Sequence, residues 1–134
     1  MHGHGLRILI ADDDARLAAL VSDTLDRDSR FDVVGRAESG QDAVRLCAEL
    51  APDLVLMDIS MPGLDGIEAT RLIHEHDARL HVVIYTGSDE YDDIERAHNA
   101  GAAGYLHKDA LTSPDLPDAL SVLHRNHNAR LDDL

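Results

Sequence analysis

One cysteine stands in a chain of 134 residues. That single thiol, Cys47, permits no disulfide framework, no CxxC redox pair and no zinc ribbon within the chain. Such cysteine usage fits a reducing, cytoplasmic setting. Long hydrophobic runs are missing too. Runs such as those at 54–57 and 82–85 are far too short to cross a bilayer. Residues 1–5, Met1-His2-Gly3-His4-Gly5, hold no charged segment followed by an apolar stretch, and read as a flexible head rather than a signal peptide. Positive charge is scarce: 12 Lys+Arg face 26 Asp+Glu, for a formal net charge of −14. Phosphate backbones attract clustered Lys and Arg, so nucleic acid is excluded as this chain's own partner. Neither GxGxxG nor a P-loop is present, which weakens a nucleotide-binding reading. No internal repeat or low-complexity segment interrupts the chain.

What remains is informative in detail. Twenty of the acids are Asp and six are Glu. Short Asp belongs at helix caps, turns and metal sites more than on helix faces. Eleven of the basic residues are Arg and one is Lys, at Lys108. A compact ammonium kept in an Arg-biased chain suggests a place where a broad guanidinium would not serve. The length suits one domain with a core of its own.

Short apolar runs alternate with helical patterns throughout. Residues 6–11 form an apolar run that stops at Asp12-Asp13-Asp14. Over 15–27, Leu17, Leu20, Val21 and Leu25 follow helical spacing, with Asp14 as cap. Residues 31–37 read as a weaker strand. Ser39 is expected to cap a helix carrying Ala43, Val44, Cys47 and Leu50, closed by Pro52. A third strand over 54–57 stops at Asp58, and a loop with Pro62 and Gly63 leads to a helix holding Ile67, Thr70, Leu72 and Ile73. A fourth strand over 81–85 ends at Thr86-Gly87. An acid-led helix over about 89–99 is stopped by Gly101, and a fifth strand over 104–107 ends at Lys108. The last helix is expected from Ser113, before Pro114, to near Arg125. Five strands alternating with five helices predict α/β architecture, with a parallel sheet covered on both faces.

Ligands of open parallel sheets bind beyond the carboxyl ends of the strands. Those ends read Asp12-Asp13, Asp58, Thr86 and Lys108. Three close carboxylates repel, and a hard divalent ion relieves them; an oxygen-only set with room for water suits Mg²⁺. Asp13 and Asp58 are the best candidate ligands, with Asp12 beside them. A metal held by few protein oxygens keeps positions open for phosphate, Lys108 can pair with that phosphate, and Thr86 can donate a hydrogen bond. The free oxygen of Asp58 then stands as a nucleophile toward phosphorus.

At this point the chain resembles the receiver domain of two-component response regulators, over roughly 6–125. The carriers are Ile8-Leu9-Ile10-Ala11-Asp12-Asp13, the run from Leu54 through Asp58-Ile59-Ser60-Met61-Pro62-Gly63, Asp65-Gly66, Tyr85-Thr86-Gly87 and Gly104-Tyr105-Leu106-His107-Lys108-Asp109. The resemblance implies a flavodoxin-like fold with strand order 2-1-3-4-5 and a receiver spanning 6–127. It makes Asp58 the phosphoacceptor, filled from a sensor histidine kinase, and the chain not an enzyme in its own right. Mg²⁺ would be held by Asp12, Asp13, Asp58 and the Ser60 backbone carbonyl. Thr86 and Tyr105 match the switch hydroxyl and switch aromatic, and Lys108 the phosphate-contacting lysine. The face of the fourth helix, fifth strand and last helix would signal to an output domain or partner, with homodimerisation on phosphorylation. Ser60 and Ser88 occupy positions that influence the lifetime of the phosphorylated state in that family.

The run 100–110 is most similar to the LuxR/NarL-type branch, whose members carry a C-terminal helix-turn-helix. On that likeness, 128–134 is a tail or the start of a linker to an output domain controlling transcription; a single-domain regulator acting by protein contact is the alternative. Asp109 stands where many receivers have proline, so no cis X-Pro bond is expected after Lys108, and His107 replaces a usually apolar residue. A haloacid-dehalogenase-like phosphohydrolase would need a second Asp two residues after the nucleophile, where Ser60 stands. A phosphorylation-independent interaction domain would not need the full acidic set. Of the nine histidines, His74 and His76 are read as surface residues, and His2 and His4 as part of the head. The acidic group Asp89, Glu90, Asp92, Asp93 and Glu95 is read as a solvated helix start, and Cys47 as a small core residue.

Overall fold

The computed structural model describes residues 5–87 and 91–132. Five strands, β1 (Leu6–Ala11), β2 (Phe31–Ala37), β3 (Leu54–Asp58), β4 (His81–Thr86) and β5 (Gly104–His107), form one sheet in the order β2-β1-β3-β4-β5, every pair parallel. Between them run α1 (Ala15–Asp26), α2 (Gly40–Leu50), α3 (Gly66–His76) and α4 (Tyr91–Asn99), and α5 (Leu116–Asp132) follows β5. This is the flavodoxin-like arrangement expected from the alternation and the resemblance. The start expected for the fourth helix at Asp89, and the positions of Ser88, His2 and His4, lie outside the described residues.

Alternate residues of each strand feed two cores. Leu9, Val55, Met57, Val82 and Ile84 face α2, α3 and α4, whereas Ile8, Ile10, Leu56, Val83 and Tyr85 face α1 and α5. Burial on both faces is why β3 and β4 carry continuous apolar sequence. At about 1.5–3 kcal/mol for each fully buried large side chain, these layers supply the main driving force. β1 and β2 slip register between Ile8 and Leu9, whose partners are Val33 and Gly35. The extra residue, Val34, makes a bulge in the edge strand.

The caps follow the sequence reading. Asp14 accepts from the backbone N–H groups of Arg16 (3.0 Å) and Leu17 (3.2 Å), and Ser39 from Asp42 (3.1 Å). Asp14→Ala should therefore cost about 1 kcal/mol, read as a lower urea midpoint at unchanged slope. Gly66 opens α3 where a Cβ would stand 2.2 Å from the Asp58 carbonyl oxygen. Only glycine lets α3 begin directly against the end of β3.

Two expectations need correction. The last helix does not begin at Ser113. A 3₁₀ turn (Lys108–Thr112) comes first, and α5 then runs from Leu116 to Asp132, well past Arg125. Pro117 occupies its first turn, where a missing N–H costs nothing. His74 is not a surface residue: it is half-buried, with Nε2 3.0 Å from the Leu80 carbonyl oxygen. Its ring fills the space beside Gly101, whose φ of 111° ends α4 and where any Cβ would meet it at 2.2 Å. His76 is exposed, as expected.

At the N-terminal edge of the sheet, β4 begins with a fully buried histidine. The His81 ring stacks on His127 of α5 at 4.3 Å between centroids, and its Nδ1 lies 3.0 Å from His124 Nδ1. His127 Nε2 meets the Arg79 carbonyl at 2.9 Å, and Asn128 reaches His124 Nε2 at 3.2 Å. Lone pairs lie in the ring planes, so two parallel stacked imidazoles cannot share one metal ion. Burial, with the neighbouring His127, His124 and Arg130, holds the His81 ring down at about 3 and lowers His124 as well.

Candidate functional site

At the opposite edge, the carboxyl ends of the strands place the expected residues together. Asp12 and Asp13 follow β1, Asp58 ends β3, Thr86 ends β4 and Lys108 follows β5. One carboxylate oxygen each from Asp12, Asp13 and Asp58 lie within 4.8 Å of one another. Asp12 and Asp58 are buried and Asp13 is exposed. Asp13, Ser60, Met61, Thr86 and Arg96 line an open cleft of about 520 Å³. Lys108 is exposed, and its charge favours the ionised form of Asp58.

The electrostatics register the crowding. Burial raises the Asp58 carboxyl to about 6, and Asp12 and Asp13 push in the same direction. The Ser60 N–H, donating to Asp58 Oδ1 at 3.1 Å, and the Lys108 ammonium only partly offset this. A set of hard oxygens, strained by its own negative charge and open to solvent through Asp13, fits a divalent cation such as Mg²⁺.

Thr86 is buried, pairs with His107 across the sheet, and points to the face that also holds Ile84 and Tyr105. Tyr105 is half-buried beneath α4, beside Ile94, Ala97 and His98. His107 caps the 3₁₀ turn, accepting from the Asp109 N–H at 3.2 Å. On α4, Asp93 pairs with Arg96 at 3.5 Å. Cys47 is half-buried against the core, and burial pushes its thiol up to about 12, far from a reactive thiolate.

The sequence reading missed Tyr85. Its hydroxyl donates to Asp12 Oδ2, and both residues are buried. Burial and the adjoining carboxylates drive the Tyr85 hydroxyl far above its ordinary range, so it remains a donor. The only signal was a polar tip directly after the apolar run 82–84.

Comparison with known proteins agrees with this geometry. The family model described as response regulator receiver domain matches residues 8–121, so the chain belongs to the receiver domains of two-component response regulators. It is 38% identical over 115 residues to the chemotaxis protein CheY of Halobacterium salinarum, covering 86% of this chain and 93% of that one. It is 40% identical over 105 residues to the response regulator UvrY of Escherichia coli, covering 78% of this chain and 48% of the relative. A LuxR-family response regulator from Aurantimonas superposes with a TM-score of 0.84 at 32% identity, over 91% of this chain and 86% of that chain. The chain thus spans nearly all of the CheY relative and about half of UvrY. Among the described residues, no helix is long and apolar enough to cross a membrane.

Proposed function

We propose that this chain is a phosphorylation-operated switch whose acceptor is Asp58, charged by a sensor histidine kinase in a Mg²⁺-dependent reaction in the cytoplasm. The observation that carries the reading is the meeting of three carboxylates within 4.8 Å, beside Thr86 and within electrostatic reach of Lys108. Asp12, Asp13, Asp58 and the Ser60 backbone carbonyl are the residues that would hold Mg²⁺. The ion, when bound, supplies charge neutralisation on the phosphoryl oxygens. An Asp58 oxygen forms the new bond to phosphorus as the donor's bond to phosphorus breaks, the electron pair leaving with the donor group. Lys108 meets the added negative charge as a point cation, and Thr86 donates to a phosphoryl oxygen.

That charge draws Thr86 toward Asp58, and Tyr105, on the same face of the sheet, follows. The surface of α4, β5 and α5 then changes its affinity for a partner, a second copy or an output domain. Likeness to the LuxR-family regulator supports an output that controls transcription, with DNA contacts made outside this acidic domain. Likeness to the chemotaxis protein CheY, at 38% identity, supports a second reading, a regulator acting by protein contact alone.

The test is incubation with Mg²⁺ and acetyl phosphate, followed by intact-mass and peptide analysis. The expected result is one phosphoryl adduct on Asp58, absent when Mg²⁺ is chelated. A folded chain that takes up none overturns the proposal.

A further inference from the structure

Three residues donate to Asp12. Tyr85 donates to Oδ2, the Asp14 N–H donates to Oδ1 at 2.8 Å, and the Arg36 guanidinium donates to the Asp12 carbonyl oxygen at 3.1 and 3.2 Å. The Asp14 and Arg36 anchors lie in or beside β1 and β2. Tyr85 is different, because it reaches from β4, across the intervening β3, to the end of β1. It also pairs with Asp58 in the sheet, and its carbonyl oxygen accepts from the Ile59 N–H at 3.0 Å. One residue therefore ties two of the three carboxylates to the strand that ends in Thr86.

We propose that Tyr85 is a positioning residue for the cation site: its hydroxyl fixes the orientation of the Asp12 carboxylate within the acidic cluster. This rests on the reading of that cluster as a Mg²⁺ site. A carboxylate turns freely about its last side-chain bond, and Asp14 alone restrains one oxygen. The second donor removes that freedom before the ion arrives. Each Asp12 oxygen keeps a lone pair for the ion or its water, since one hydrogen bond uses only one. Partners that orient metal-binding groups typically change affinity 10–100-fold when removed.

The competing role is purely structural, with the hydroxyl only satisfying a buried carboxylate. The two roles separate in Tyr85→Phe, which keeps the ring in the core and deletes the donor. Mg²⁺ affinity, measured by calorimetry on the unphosphorylated protein, should fall roughly 10-fold. Phosphorylation by acetyl phosphate should slow at limiting Mg²⁺ and recover at saturating Mg²⁺. A purely structural role predicts a lower melting temperature with Mg²⁺ affinity unchanged. The decisive measurement is the double-mutant cycle with Asp12→Asn: acting through Asp12, Tyr85→Phe should add no further loss of affinity in that background. Wild-type protein that binds Mg²⁺ while Tyr85→Phe binds it equally well overturns this inference alone. Wild-type protein that binds none overturns the functional reading and this one with it.

Discussion

Asp58→Asn is expected to accept no phosphate and, in Mg²⁺-free buffer at pH 7, to be more stable than the unsubstituted chain. Loss of the proposed phosphoacceptor accounts for the first effect. The second follows from the carboxyl lying near 6 in the fold, against an ordinary value of 3.8. An acid raised on folding binds its proton more tightly in the native state, so ionising it at neutral pH costs stability. After allowance for solvent screening at the open side of the cleft, that rise corresponds to on the order of 2 kcal/mol. Asn keeps an acceptor for the Ser60 N–H and sheds the repulsion from Asp12 and Asp13. Urea unfolding with EDTA should show the gain, and added Mg²⁺ should reduce or reverse it, because the full set of three carboxylates is expected to hold the ion more tightly than two carboxylates and an amide. A variant less stable than its parent in EDTA would mean that the Ser60 N–H and Lys108 outweigh burial and the other two carboxylates.

His81→Phe is expected to change the acid limb of stability more than any other single substitution. His81 titrates near 6.5 when unfolded and near 3 in the fold. A base lowered on folding contributes stability that is complete above 6.5 and is lost as pH falls toward 3. Between pH 7 and pH 4 that loss is roughly 3 kcal/mol. The geometry supplies the reason. His81 Nδ1 and His124 Nδ1 share one proton at 3.0 Å, so a second proton sets two donors against each other. His127 stacks on one side, Arg130 adds like charge, and Asp53 opposes it at His124.

Asp58 works in the opposite sense over the same interval, gaining roughly 2 kcal/mol as pH falls from 7 to 4 without Mg²⁺. The parent profile in EDTA should consequently be shallow. Asp58→Asn should expose the histidine loss, and His81→Phe should leave a profile that rises toward acid. Urea midpoints at pH 7, 5.5 and 4 distinguish the three curves. Parallel curves would show that His81 is not the titrating group.

The parts of the fold that could be read in advance were those written as local pattern. Residues 54–57 and 82–84 are apolar on both strand faces, and Asp58 and Thr86 end the strands in polar residues, which located both the sheet and the edge that carries the candidate site. Asp14 and Ser39 announced their helices by capping chemistry. The beginning of α5 was ambiguous because Ser113-Pro114 and Leu116-Pro117 both resemble a first helical turn, and only packing of Leu111 and Leu116 into the core selects the second. Its end was hidden because His127 takes a buried position that an apolar residue normally marks. Tyr85 and His81 have partners 73 and 43 residues away. Periodicity assigns such residues to a face; it carries no information about which group waits across the sheet.

Eleven guanidiniums and one ammonium also give the molecule an unusual chemical address. Lysine amines, unlike arginine, are the natural targets of acylation. Apart from an α-amino group, an amine-selective acylating reagent has one lysine to react with, the exposed Lys108 beside the acidic cleft. The extent of labelling at that residue is therefore a footprint of whatever covers the strand ends, whether ion, phosphoryl group or docked protein.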